Sequence, residues 1–371
     1  MIVHTDYRHY TGNKPCSFHK KDGRICKGCP DYNRVRDRIL IIKLDAVGDV
    51  LRTTSILPSL AKQYPSSEIT WITRKNAVPV LEGNPYIHRV VALENNHLAF
   101  VSTEIFTTGI CLDPDHGSAS LLSAARCKRK LGFITNRKGR VIPVNNPALE
   151  WYRLGLNDDL KRKNRKTYPE IIHRICGLEG EPQAPQFVIS ASARSFAAQF
   201  RERNRLEGFR KIVGINTGGG NRWQYKKWIR EYYPVLIRTL KENHPDVGIL
   251  LMGGPEETGF NEDILRSSGD RVIDCGCRNS IQEFGALIGL TDVFLTPDSL
   301  GMHIAIALER VTLVTVGPTS PWELSVYGRG EILFNNELAC ISCYRSTCDL
   351  QVNCMNTLKP EFIYHKIRAF L

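Results

Sequence analysis

No stretch of this sequence is apolar over the roughly twenty residues that cross a bilayer, which excludes a membrane-spanning helix. Its opening residues, Met-Ile-Val-His-Thr-Asp-Tyr-Arg-His-Tyr, have no basic segment leading into an apolar run. No secretory leader is read there, and a cytoplasmic protein is expected. Short-period repeats and low-complexity tracts are missing, which argues against a solenoid or a disordered spacer. Helix-turn-helix, zinc-finger and RNA-binding aromatic signatures are missing too. The excess of 50 Lys and Arg over 38 Asp and Glu, a net charge of +12, therefore points to an anionic partner other than nucleic acid. Cysteine is scarce through the middle of the chain: of 12, only Cys111, Cys127, Cys176, Cys275 and Cys277 lie there. That distribution does not suit a disulfide framework, and the thiols of a cytosolic chain are expected to stay reduced.

What the sequence holds is 371 residues of ordinary globular composition, 42% hydrophobic and 24% charged, enough for two domains with full cores. From residue 38 onward, β-branched apolar runs alternate with amphipathic stretches, a rhythm that predicts parallel sheets with right-handed crossovers. Strands are predicted at 38–44, 68–73, 87–93, 104–112 and 129–133, and again at 211–216, 248–252, 272–274, 293–296 and 311–316. Helices are predicted at 49–63, 77–82, 118–125 and 149–177, then at 229–243, 257–267, 280–289 and 301–308. The expected organisation is a Cys-rich extension (1–34), a first α/β domain (35–190), a linker helix (191–209), a second α/β domain (210–335) and a Cys-rich tail with a helix (336–371).

The most informative segment is Arg38-Ile-Leu-Ile-Ile-Lys-Leu-Asp-Ala-Val-Gly-Asp-Val-Leu-Arg-Thr-Thr54, which reads as strand, tight turn and helix. It sets the Asp49 carboxylate at a sheet edge where ligands of open α/β sheets bind. A helix-capping role competes with a chemical one. In the second half, Asn216-Thr-Gly-Gly-Gly-Asn221 follows a predicted strand, and its glycines let backbone N–H groups approach a phosphate. It is not the Gly-x-Gly-x-x-Gly of dinucleotide binding. Lys226-Lys-Trp-Ile-Arg-Glu-Tyr comes next and supplies cations. Leu250-Leu-Met-Gly-Gly-Pro-Glu-Glu257 ends a strand in two carboxylates, which suit a ribose hydroxyl or a helix cap. Leu295-Thr-Pro-Asp-Ser-Leu-Gly-Met-His-Ile-Ala-Ile-Ala307 places Asp298, Ser299, Gly301 and His303 where a helix N-terminus favours an anion. Val316-Gly-Pro-Thr-Ser320 ends a further strand.

Taken together and in this order, these segments resemble the ADP-heptose:lipopolysaccharide heptosyltransferases, glycosyltransferase family nine, from about residue 38 to the C-terminus. The resemblance implies an α/β fold of the GT-B type, two Rossmann-like domains facing across a cleft. It implies direct displacement with inversion, Asp49 acting as base toward an acceptor hydroxyl. It assigns donor contacts to Thr217, Gly218, Gly219, Lys226 (Lys227 the near alternative), Glu257, Asp298, Ser299, Gly301, His303 and Thr319. Ile229 stands where the family has Pro, and Leu300 where Gly is usual. No metal or cofactor is required by this chemistry, and a helix N-terminus is expected to depress the pKa of Asp49.

The implied partners are ADP-heptose, a lipopolysaccharide core precursor or other glycan acceptor, and the anionic inner face of the inner membrane, where the protein would be peripheral. A basic stretch near Lys161, Lys163 and Lys166 suits the acceptor's anionic groups. Cys340, Cys343, Cys348 and Cys354 resemble a Cys-rich tail of the family, and four thiolates suit structural Zn or Fe. Cys16, Cys26 and Cys29 would complete or duplicate that site if the C-terminal segment crossed back to the first domain. Competing readings are a family member glycosylating a protein (autotransporter-type) or another glycan, a GT-B epimerase, and a non-catalytic, metal-stapled basic binding module.

Overall fold

The computed structural model describes residues 3–44, 46–94, 99–220, 223–269 and 272–371. A short helix, α1 (Ser17–Asp22), precedes the first sheet. Then come β1 (Asp37–Ile42), α2 (Val47–Thr53), α3 (Leu57–Gln63), β2 (Ser67–Thr73), β3 (Arg89–Ala92), α4 (Phe100–Thr103) and β4 (Ile105–Cys111). The first half ends with α5 (His116–Ala124), β5 (Arg126–Thr135), β6 (Val141–Pro143), α6 (Asn146–Leu156), α7 (Asp158–Lys163) and α8 (Tyr168–Ile175). Helix α9 (Ala191–Arg203), capped by the Ser190 hydroxyl, leads to the second half. There β7 (Lys211–Asn216), α10 (Tyr232–Asn243), β8 (Val247–Met252), α11 (Thr258–Ser268), β9 (Ile273–Asp274), α12 (Ile281–Ile288), β10 (Val293–Pro297), α13 (Leu300–Ala307), β11 (Val311–Thr315), β12 (Gly330–Leu333) and α14 (Pro360–Arg368) follow.

The two six-stranded sheets have the orders β3-β2-β1-β4-β5-β6 and β12-β11-β10-β7-β8-β9. Every pairing is parallel except β5 with β6, an antiparallel edge that the alternation did not foretell. Ile39, Leu40, Ile41 and Ile42 of β1 are fully buried, as expected of a strand covered on both faces. β8 is buried along its whole length for the same reason. Strand order reverses between β1 and β4 and between β7 and β10, and these reversals open the crevices in which α/β proteins bind ligands. The loops after β1, β7 and β10 carry the motifs around Asp49, Gly218 and Asp298.

Several predicted helices are broken for local reasons. The helix expected at 49–63 becomes α2, a 3-10 turn at Thr54–Ile56, and α3. Thr53 and Thr54 turn their hydroxyls back onto the carbonyls of Asp49 (2.6 Å) and Leu51 (2.7 Å), and Pro58 opens α3. The helix expected at 149–177 divides into three. Asn157 caps α7, and a Thr167–Glu170 capping box starts α8. The 77–82 helix is a 3-10 turn, Lys75–Val80, that includes Pro79. Helix α14 of the C-terminal segment packs on the second half. Ile363 and Ile367 of α14 join the core formed with Leu236 and Ile237 of α10, and Tyr364 bonds His244 at 3.3 Å. No helix among the described residues is long and apolar enough to cross a membrane.

Candidate active site

The wall built by the first half starts where β1 ends. Lys43 and Asp113 form an ion pair with both side chains almost wholly buried. Asp113 also accepts from the Leu44 N–H (2.6 Å) and the Ser118 hydroxyl (3.3 Å), which ties the ends of β1 and β4 together at their crevice. Ala46 takes a positive φ of 41° ahead of α2, an uncommon backbone state for a residue with a side chain. Ala46, not Asp49, occupies the N-cap position, and among the described residues no side chain caps this helix. Asp49 lies in the first turn and pairs with Arg52 at 2.7 Å. Burial alone would raise its pKa, but Arg52 and Lys43 outweigh that and hold the carboxyl below its ordinary value. The Arg52 guanidinium lies 3.6 Å from the centre of the Tyr168 ring, and Tyr168 bonds Thr53 at 2.8 Å.

The opposite wall comes from the second half. Asn216, at the end of β7, donates to the Thr296 hydroxyl (2.9 Å) and lies 3.3 Å from that of Ser299, joining β7 to β10. A Cβ at Gly301 would stand 2.8 Å from the Asn216 amide nitrogen, so glycine lets the first turn of α13 seat there. Leu300, the departure from the family pattern, simply begins α13 after Ser299. Asp298 pairs with Lys226 at 2.9 Å and accepts from Thr319 at 3.2 Å. Burial pushes the Asp298 pKa up, but the Lys226 charge reverses this and leaves it lowered. Lys227 pairs with Glu257 at 2.6 Å, and Glu257 also accepts from the Gly254 N–H. The glycine loop packs closely on these groups. A Cβ on Gly219 would approach the Lys227 side chain at 3.2 Å, and one on Gly218 would approach the Glu257 carboxylate at 3.2 Å. The Thr217 hydroxyl is turned into the fold, onto Asn261 at 2.6 Å, so only its backbone can serve a ligand. Asn221, the last residue of that motif, lies outside the described residues.

Both walls meet where α2 touches α13. A Cβ on Gly48 would come within 3.2 Å of the His303 ring and 3.6 Å of the Leu300 Cα. His303 is 7% exposed, and burial followed by the Arg52 charge lowers its pKa to about 4, so it is neutral near pH 7. Its unfolded imidazole takes up a proton near pH 6.5, while the folded one resists until about pH 4. Stability is therefore lost as pH falls through that window. Unfolding by urea at stepped pH is expected to show wild type losing up to about 3 kcal/mol relative to His303→Gln between pH 6.5 and 4. Parallel curves would mean that His303 takes up its proton as readily in the fold as in the unfolded chain.

Asp49, Lys226, Asp298, Ser299, Gly301, His303 and Thr319 are thus gathered at one crevice, with Gly218, Gly219 and Glu257 beside it. The three lysines expected to meet the acceptor are not gathered. Lys161 rests its ammonium 3.6 Å from the Tyr344 ring in the second half, and Lys166 pairs with Glu150 on α6 at 3.2 Å. Lys163 is exposed at the end of α7. Cys340, Cys343, Cys348 and Cys354 line one small cavity with Gly317 and Pro318. The backbone turns this segment onto the 316–318 loop, with Ser342 and Tyr344 at positive φ and the Tyr344 N–H bonded to the Pro318 carbonyl. Among the described residues, no three His, Cys, Asp or Glu side chains are set, as placed, to hold a metal ion.

Sequence reasoning missed Lys43, Asp113, Arg52, Tyr168 and Glu323. Lys43 and Arg52 were signalled by flanking the Gly-Asp turn. Glu323, raised in pKa by burial and bonded to the Tyr344 hydroxyl, follows no motif.

The family model described as "Glycosyltransferase family 9 (heptosyltransferase)" matches residues 112–353. Lipooligosaccharide heptosyltransferase 2 of Campylobacter jejuni is 29% identical over 181 residues, 47% of this chain and 55% of that protein. The chain thus spans about half the length of that relative. A glycosyl transferase family 9 structure from Veillonella parvula superposes with a TM-score of 0.73 at 16% identity, covering 90% of this chain and 97% of the other. The E. coli ADP-heptose lps heptosyltransferase II superposes with a TM-score of 0.63 at 18% identity, covering 90% and 98%. These structures share the fold of two facing α/β halves.

Proposed function

The chain belongs to glycosyltransferase family 9, and from that premise we propose that it is an inverting transferase moving heptose from ADP-heptose to a lipopolysaccharide inner-core acceptor. One observation carries the reading. An anionic carboxylate, Asp49, and a lysine–aspartate pair, Lys226–Asp298, lie on opposite walls of the contact that Gly48 makes with His303. The donor diphosphate would lie on the second half, over Gly218, Gly219 and the start of α13, where backbone N–H groups and the helix dipole favour anions. Lys226 would neutralise charge building on the departing ADP. Glu257, held by Lys227 and the Gly254 N–H, would turn its remaining capacity to the ribose.

The acceptor would approach along the first half. Asp49 takes the proton of its hydroxyl, that oxygen attacks the anomeric carbon from the face opposite ADP, and the sugar–phosphate bond breaks toward Lys226. The ADP-heptose donor and the core acceptor are supported by the names of the relatives, and the surplus of basic residues supports work at an anionic membrane face.

Calorimetry with ADP-heptose, ADP, UDP-sugars and GDP-sugars tests the donor, and transfer to a heptose-bearing core oligosaccharide tests the acceptor. Selective binding of ADP-linked ligands, with an inverted product linkage by NMR, is expected. Absence of binding by any ADP-linked ligand would overturn the donor assignment. Transfer with retention of configuration would overturn the role of Asp49.

A further inference from the structure

The N-terminal extension carries two pairs of metal-ligating residues, each with two residues between its members: Cys16-x2-His19 and Cys26-x2-Cys29. The local backbone suits both. Cys16 stands at the N-cap of α1 and His19 in its first turn, an i, i+3 spacing that puts both side chains on one face. Cys26-Lys-Gly-Cys29 is a tight turn in which the Cys29 N–H bonds the Cys26 carbonyl at 3.4 Å. Gly28, at φ 71°, supplies the left-handed position that such a turn requires. His19 Nδ1 lies 2.7 Å from the Arg24 carbonyl, the kind of outer contact that fixes a ligating imidazole and commits Nε2 to the ion. All four residues line one cavity of about 530 Å³.

The extension has little else to hold it together. Among its described residues the one buried apolar side chain is Tyr7, and Ile25 is 64% exposed. So small a segment ordinarily needs a disulfide or a metal to fold. It is nevertheless ordered against the first sheet. Val35 N–H bonds the Asp6 carbonyl at 2.8 Å, and the Arg8 guanidinium donates to the Ser67 carbonyl at 3.0 Å.

We propose that Cys16, His19, Cys26 and Cys29 form a closed tetrahedral Zn²⁺ site that holds this extension together where it lies against the start of β2, separate from the cysteines of the C-terminal segment. Three thiolates and one neutral imidazole are a standard structural zinc set. As placed, no three of these side chains converge on one point, so binding would have to draw all four toward the middle of the cavity they line. His4 and His9 also line that cavity, but the His4 ring packs on Tyr32 at 4.5 Å and the His9 ring packs edge-on against Phe18 and Tyr7 at 5.2 Å from each, whereas His19 has its Nδ1 held by the Arg24 carbonyl, so His19 is taken as the nitrogen ligand.

The test uses the full chain, expressed with added zinc, purified reduced and without chelator, and measured by elemental analysis. Cys26→Ser/Cys29→Ser is expected to lose one equivalent of zinc that Cys343→Ser/Cys348→Ser retains. Cobalt substitution reads the ligands directly. His19→Cys should keep the ion and shift the visible bands toward those of a four-thiolate site, while His9→Ala should leave them unmoved. Zinc-free wild type, or zinc undiminished by the Cys26/Cys29 change, overturns the site. Cobalt bands that ignore His19→Cys overturn the ligand set even where the double serine variant fails to fold.

Discussion

Asp49→Asn is expected to lower kcat by about 10²- to 10⁴-fold, the usual contribution of a positioned general base, while donor affinity barely changes. The split follows from geometry, because Asp49 sits on α2 whereas the glycine loop, Lys226 and α13 belong to the other half. Asparagine keeps the shape and leaves an oxygen for Arg52, so a thermal melt near wild type should accompany the lost rate. A parallel loss in donor binding would instead make Asp49 a binding group.

The pH profile sharpens that expectation. Asp49 must be anionic to accept a proton, and Arg52 and Lys43 hold its pKa below the ordinary 3.8 despite burial. Its acid limb therefore falls below pH 3.8, and no limb owed to Asp49 is expected between pH 5 and 8. The stability drawn from its ion pair runs the same way: present above the unfolded pKa, and lost as pH falls through the folded one. So acidic a carboxylate is a weak base. On the proposed mechanism, proton removal would come late, with the bond to ADP largely broken, and much of the acceleration would rest on holding the acceptor oxygen in line.

Legibility in the sequence followed the physics of each element. Central strands such as 39–42 and 247–252 are apolar on both faces, and their shortness and the turn residues that follow them separate them from buried helices. The site motifs were legible because each occupies a strand-to-helix turn, where glycine and short polar residues leave a plain mark. Helix ends were not. The break at Thr53–Thr54 depends on hydroxyls that return to the backbone, and periodicity does not record it. Residues that shape the site from afar were hidden for a different reason. Tyr168 and Glu323 reach the crevice through tertiary packing and follow no motif. The basic stretch was visible as charge, but its division between Tyr344 and Glu150 is decided by neighbours far away in sequence.

Lys226→Ala is expected to lower kcat/KM by about 10²- to 10³-fold, comparable to removing one preorganised donor from a site of developing negative charge. Two losses combine. The departing diphosphate loses its cation, and Asp298, whose side chain is 15% exposed, keeps its charge with its 2.9 Å partner gone. An uncompensated carboxylate beside a diphosphate repels it, so ADP affinity should fall along with the rate. Adding Asp298→Asn to Lys226→Ala removes that repulsion and is expected to restore part of the ADP binding without restoring the rate. Such partial recovery would assign Asp298 to positioning Lys226. A further loss in the double variant would show that Asp298 contacts the donor on its own account. Lys227 is the control, since its partner at 2.6 Å is Glu257, the carboxylate proposed for the ribose, and not Asp298. Should Lys227→Ala abolish transfer while Lys226→Ala keeps wild-type kcat/KM, the phosphate cation is Lys227 and the donor sits one residue further along the glycine loop.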